Sequence, residues 1–272
     1  MANPPPPKDP VKILMLHGFT QSGPLFRAKT RALEKNLQKA FPAGCTLSYP
    51  TAPIKLSPAD IPFALPANED GSEKEEVEAY AWWRRKGEGE PFLYEGLEVG
   101  LAEVARVLKE EGPFDGVVGF SQGGAMAGMV AALLEEGRRE AFEGLKVSGG
   151  ISYPESFTKG MHPPFKFAVI YSGFAARGTE LYRGFYEPKI KTPMLHFLGT
   201  LDATVEEKRS LALVEACEES EGRVVYHPGG HFVPSSQKAY VGALIGFIKE
   251  VMQSAKGEEE KEESVEDMDV PF

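Results

Sequence analysis

A serine with a glycine two residues away on each side, Gly119-Phe120-Ser121-Gln122-Gly123, constrains the fold more than any other segment of this 272-residue chain. Ahead of it, Phe114-Asp115-Gly116-Val117-Val118 is short and apolar, as a strand is. Behind it, residues 124–134 are all Gly, Ala, Met, Val or Leu, the composition of a helix packed closely all round. Strand, sharp turn and helix therefore meet at Ser121. Such a turn lifts the serine hydroxyl above the edge of the sheet on a strained backbone. The two glycines remove side chains that would collide as strand and helix fold back on each other. Packing alone also produces glycine-rich turns, so the meaning of this serine depends on what the rest of the chain brings to it.

Apolar runs alternate with helical patterns along the whole chain, which predicts an α/β fold with a mostly parallel central sheet and helices on both faces. Strands are expected at 11–16, 46–49, 114–118, 147–151, 166–171, 193–198 and 222–226. Helices are expected at 24–40, 95–109, 124–134, 205–217 and 237–252. In the first helix Leu25, Ala32, Leu33 and Leu37 form the apolar stripe; in the second Leu97, Leu101, Val104 and Leu108 do so. No internal repeat is present. Two connections, 50–94 and 152–191, are long for a compact domain, and such segments are usually functional or disordered. Both carry aromatics: Phe63, Trp82, Trp83, Phe92 and Tyr94 in one, Tyr153, Phe157, Phe165, Phe174 and Tyr182 in the other. They read as two cap-like insertions over a pocket, with the polar stretch 68–76 as a mobile exception.

The net charge of −10 is concentrated at one end. Residues 256–272 hold eight acidic and two basic side chains, leaving a body near −4 with no basic stripe to follow a phosphate backbone. Nucleic acid is therefore not an expected partner. The expected organisation is a Pro-rich lead over residues 1–10, one domain over 11–255, and a disordered acidic tail over 256–272. No apolar stretch is long enough to span a bilayer, and the first residues lack the pattern of a secretion signal. Cys45 and Cys217 match no metal-ligand spacing and read as reduced, buried thiols of a cytoplasmic protein.

In an open α/β sheet, ligands bind at the carboxyl ends of the strands, so the partners of Ser121 should lie just after later strands. Asp202, in Gly199-Thr200-Leu201-Asp202, follows one; His231, in His227-Pro228-Gly229-Gly230-His231, follows the next. An aspartate ahead of a helix ordinarily caps it. Here Thr204 and Glu207 have capping-box spacing, which would leave Asp202 free. Asp115 opens a strand and so belongs at the wrong edge. His196 lies within a strand, His17 suits a loop-shaping role, and His162 falls in an insertion. His227 and His231 are four apart but have no helix or glutamate to make a metal site. The glycines before His231 let its loop bring the imidazole over Ser121. For an oxyanion, the amide of Gln122 is one donor, favoured by the helix dipole; Phe19, in Leu16-His17-Gly18-Phe19, is the other, with Thr20 second.

These segments together resemble the family of serine hydrolases named from its yeast members, within the α/β-hydrolases. The resemblance covers about residues 10–253. It rests on Leu16-His17-Gly18-Phe19, Gly119-Phe120-Ser121-Gln122-Gly123, Gly199-x-x-Asp202-x-x-Val205, and His227-Pro228-Gly229-Gly230-His231, with Tyr80-Ala81-Trp82-Trp83 similar to the aromatic segment of that family. It implies carboxylesterase or thioesterase activity, and its fungal relatives include thioesterases that release polyketide chains. Some members carry the name dihydrofolate reductase; no G-x-G-x-x-G follows a strand here, and that activity is rejected.

The expectation is thus a cofactor-free, metal-free serine esterase with Ser121 as nucleophile, His231 as base and Asp202 as orienting acid. Its substrate would be a small ester or thioester with an apolar acyl group. Two alternatives stand beside it: an acyltransferase or polyketide-releasing thioesterase served by the same residues, and, of a different class, a ligand-sensing protein that keeps the fold with little turnover.

Overall fold

A computed structural model describes residues 9–61, 78–87, 92–177 and 179–266. Six strands form one sheet in the order β10-β9-β8-β7-β1-β2, and every neighbouring pair is parallel. These are β1 (Val11–Leu16), β2 (Cys45–Ser48), β7 (Gly116–Phe120), β8 (Phe167–Tyr171), β9 (Met194–Gly199) and β10 (Val224–His227). Two small antiparallel pairs lie in the first insertion: β3 (Ile54–Lys55) with β4 (Tyr80–Ala81), and β5 (Arg84–Lys86) with β6 (Leu93–Glu95).

Alternation along β1 shows why the sheet has two buried faces. Leu14 and Leu16 join one apolar cluster, while Ile13 and Met15 join another on the opposite face. The first cluster takes in α2 (Leu97–Glu111) and α3 (Gln122–Leu133). The second takes in α1 (Gly23–Ala40) and α7 (Lys238–Glu266). All twelve residues of α3 are buried, as its uniformly small and apolar sequence requires. Ser22 caps α1 by accepting the Leu25 N–H at 3.3 Å, with a proline in the first turn. The remaining helices are α4 (Arg138–Lys146), α5 (Thr179–Tyr182) and α6 (Glu207–Glu215).

The strand expected at 147–151 does not form. The chain leaves α4 into turns there, and Val147 is 94% exposed; two β-branched residues mark strand propensity but provide no neighbour to pair with. Leu25 is also not on the buried stripe of α1: it is exposed, and Phe26 and Thr30 face inward with Leu33 and Leu37. Helix α7 runs as far as Glu266, into the stretch read as an acidic tail, in keeping with the high helix propensity of Glu and Lys. Phe63, the stretch 68–76 and most of the Pro-rich lead lie outside the described residues. No helix among the described residues is long and apolar enough to cross a membrane.

Topology locates the crevice. From β1 the chain moves outward to β2 on one side; from β7 it moves to β8, β9 and β10 on the other. The neighbours β1 and β7 therefore form the switch point, where the loops leaving them diverge and leave room for a ligand. Leu16 is paired with Gly119 across that junction, so the loop after β1 starts beside Ser121.

Candidate active site

Ser121 sits between β7 and α3 with φ 54° and ψ −117°, a backbone conformation that side-chain-bearing residues avoid. Its surroundings leave little choice. A Cβ on Gly119 would lie 2.2 Å from the Gly123 carbonyl oxygen, and one on Gly123 would lie 2.1 Å from that of Leu16. The Ser121 amide donates to Tyr171 O at 2.8 Å, tying the turn to β8. Among the described residues, the non-glycine residues with positive φ are Thr20, Ser121 and Ser172. All three follow strand ends at this edge of the sheet, where strain of this kind gathers around functional sites.

The residues expected to act with Ser121 converge on it. His231 Nε2 lies 2.9 Å from Ser121 Oγ, and His231 Nδ1 lies 2.8 Å from Asp202 Oδ2. The carboxylate can only accept, so Nδ1 carries the proton and Nε2 is left to accept from the serine hydroxyl. Burial pushes the Asp202 carboxyl up, but its hydrogen bonds to His231 and Val205 outweigh this and hold it below the usual carboxylate range.

Asp202 is held differently from expectation. Its Oδ1 accepts the N–H groups of Thr204 at 2.9 Å and Val205 at 3.0 Å, while Oδ2 serves His231. Helix α6 begins only at Glu207, after Glu206 as its N-cap residue, so Thr204 and Glu207 do not form a capping box. The loop's amides and the imidazole share one carboxylate, and the two functions that seemed to compete are performed by different oxygens.

The Thr20 N–H is committed to Tyr80 O at 2.9 Å, which leaves Phe19 as the candidate donor of the loop after β1. Phe19, Ser121 and Gln122 line one cavity of about 620 Å³. Trp83 and Phe92 from the first insertion and Phe174 from the second line it as well.

Side-chain bonds beyond the expected catalytic roles hold this arrangement. The Gln122 side chain accepts the Trp82 N–H at 2.9 Å and donates to Trp83 O at 2.8 Å. Trp82 is fully buried, and its indole N–H donates to His17 O at 2.9 Å. His17 Nε2 accepts the Ala52 N–H at 2.9 Å, so its Nδ1 proton goes to Gly18 O at 2.8 Å. Burial lowers the His17 pKa to about 4, against a smaller opposing effect of that last bond. The aromatic segment at 80–83 was the sequence signal for this anchorage, although nothing local indicated its partners.

The other titratable candidates stand apart. Asp115 accepts the Lys12 N–H at 2.9 Å before the start of β7, at the opposite edge of the sheet. His162 Nε2 accepts the Phe114 N–H at 2.7 Å, and His196 is buried beside Cys217, 3.9 Å from its sulfur. The buried His227 ring packs against Phe232 and Tyr240 with centroids 5.0 and 5.7 Å away. No group of three or more His, Cys, Asp or Glu is placed to hold a metal among the described residues.

Residues 7–242 match the family model described as Serine hydrolase (FSH1). A Schizosaccharomyces pombe protein named Dihydrofolate reductase is 35% identical over 88% of this chain, which spans 47% of that protein. Human Esterase OVCA2 is 32% identical, with 88% of this chain and 98% of the esterase covered. Among solved structures, Zea mays acyl-protein thioesterase 2 superposes with a TM-score of 0.51 at 20% identity, covering 88% of this chain and 94% of that one, a likeness of fold. The chain belongs to the FSH1 serine hydrolase family.

Proposed function

We propose that this member of the serine hydrolase family is a cytoplasmic esterase, acting on carboxylic esters or thioesters through an acyl-enzyme on Ser121. The observation that carries the reading is the continuous hydrogen-bonded path from Ser121 Oγ through His231 to Asp202, at 2.9 and 2.8 Å. His231 takes the serine proton as Oγ attacks the carbonyl carbon. Asp202 keeps the proton on Nδ1 and stabilises the imidazolium that forms. The carbonyl oxygen becomes an oxyanion facing the amides of Gln122 and Phe19, each worth on the order of a hundred- to a thousandfold in rate. His231 then protonates the leaving group, and a water it deprotonates attacks the acyl carbon, releasing the acid and restoring Ser121.

An apolar acyl group is supported by the Trp83, Phe92 and Phe174 side chains in the cavity that holds Ser121. Each methylene buried there contributes roughly 0.8 kcal/mol. A cytoplasmic setting agrees with Cys45 and Cys217, both buried free thiols that burial pushes up to about 12.

The test is labelling by a fluorophosphonate followed by peptide mapping, with turnover of p-nitrophenyl esters and acyl thioesters of graded chain length. The reading requires the label on Ser121 and faster turnover as the chain lengthens beyond acetyl. A label elsewhere, or turnover that survives loss of the Ser121 hydroxyl, sinks it. Product analysis with added alcohols distinguishes hydrolysis from acyl transfer.

A further inference from the structure

The cavity at Ser121 is lined by cations as well as aromatic rings. Arg84, Arg85, Lys86, Arg177 and Arg209 face it, against the carboxylates of Asp60 and Glu95. This is the reverse of the chain as a whole, whose net charge is −10. Arg84 pairs with Asp60 at 3.4 Å and Lys86 with Glu95 at 3.5 Å. Arg177 pairs at 2.9 Å with Glu206, a half-exposed carboxylate that Lys208 also holds at 2.8 Å. Arg209 has no ion pair among the described residues.

The environment of Arg209 is unusual for a side chain whose only purpose is packing. Its guanidinium stacks over the Phe174 ring at 4.0 Å, and its Nε is closed off from solvent with no hydrogen-bond partner among the described residues. Burial, then repulsion from Arg177, lowers its pKa against smaller opposing pulls from Tyr94 and Glu206, so the two guanidiniums stand close enough to disfavour each other's charge. Arg177 and Arg85 both approach the Phe92 ring, another ring lining the cavity, at 5.4 and 4.9 Å. Two like charges held on aromatic platforms, one of them partly desolvated, gain most from an anion placed between them. The planar guanidinium fork suits a carboxylate or a phosphate.

We propose that the substrate of this site carries an anionic group, carboxylate or phosphate, bound by Arg177 and Arg209 while its ester or thioester carbonyl lies at Ser121. The aromatic rings then hold the apolar part between the two ends. The anion belongs either to the far end of the acyl chain or to the leaving group, and the guanidinium chemistry is the same for both. The inference rests on the esterase reading of Ser121 and narrows it from apolar acyl esters to amphipathic ones.

The experiment compares matched substrates with the full chain. On the acyl side, the mono-p-nitrophenyl ester of adipate is set against p-nitrophenyl hexanoate. On the leaving-group side, hexanoyl-coenzyme A is set against the neutral N-acetylcysteamine thioester. The readout is the ratio of kcat/KM within each pair, which cancels general losses of activity. One pair should favour its anionic member by roughly ten- to a hundredfold, the effect expected of a hydrogen-bonded charge. That preference should shrink in about 0.5 M salt if the anion approaches through solvent. It should fall to about one in Arg177→Gln/Arg209→Gln and be partly restored by Lys at the same positions. Preference in the adipate pair places the anion on the acyl chain; preference in the thioester pair places it on the leaving group. No preference in either pair, or one that persists in the double variant, overturns the proposal and leaves the esterase reading intact. If no substrate turns over, binding decides. Adipate or coenzyme A raising the melting temperature of wild type but not of the double variant upholds the anion site and removes the esterase reading. No such shift removes both.

Discussion

His231 Nε2 and Ser121 Oγ are 2.9 Å apart although 110 residues separate them in the chain. The contact joins two loops at the carboxyl ends of β7 and β10, strands with two others between them. On the serine side the contact is made by the hydroxyl alone. Ser121→Ala should therefore fold and lose ester turnover by on the order of a millionfold, to the limit set by binding and the oxyanion amides. Circular dichroism and a p-nitrophenyl ester assay decide this together. Ser121→Gly should be more stable than Ser121→Ala by about 1 kcal/mol, because glycine accepts φ 54° without strain.

Asp202 holds its own loop and the imidazole with separate oxygens. Asp202→Asn should reduce kcat by on the order of ten-thousandfold, since the amide can present an N–H to Nδ1 and reverse the tautomer. If Asn keeps the carbonyl oxygen toward Thr204 and Val205, the loop survives and the melting temperature changes little. A variant that loses stability but keeps most of its kcat would reduce Asp202 to a loop anchor.

The Gln122 side chain satisfies the Trp82 amide and the Trp83 carbonyl in the buried interior. Gln122→Ala keeps the backbone amide proposed for the oxyanion but leaves both groups unpaired. It should destabilise the fold by roughly 2–5 kcal/mol, read from urea unfolding. Because the Trp83 wall of the cavity is attached through these bonds, KM for long-chain esters should rise more than kcat falls.

His17 contributes a pH dependence with a defined sign. Its folded pKa is about 4 and its unfolded value is near 6.5, so the unfolded chain binds the proton more readily between those limits. Stability from the neutral, buried imidazole is fully present above pH 6.5 and is lost as pH falls toward 4. The loss is on the order of 3 kcal/mol. His17→Asn should be less stable than wild type at pH 7, and the difference should narrow by about that amount at pH 4. Urea midpoints measured across the range test this, and a gap independent of pH would mean that His17 titrates normally.

What the sequence by itself determined is whatever short-range sterics dictate. Gly119 and Gly123 mark the one turn in which Ser121 can stand, because any side chain there would meet backbone within 2.2 Å. The order of Ser121, Asp202 and His231 along alternating strands and helices was equally legible, since strand ends in a parallel sheet share one edge. Other features depended on groups distant in sequence. The apolar signal at 147–151 could not reveal that Val147 has no neighbour strand and lies in solvent. Capping-box spacing at Thr204 and Glu207 could not reveal that the helix starts later and that Asp202 takes the loop amides. Nor could separate arginines at 177 and 209 reveal that they share a wall with Ser121. Local sterics act over a few residues and are written in them. Hydrogen-bond partners and facing charges are set only when the sheet brings distant loops together, and that was decided by the tertiary structure.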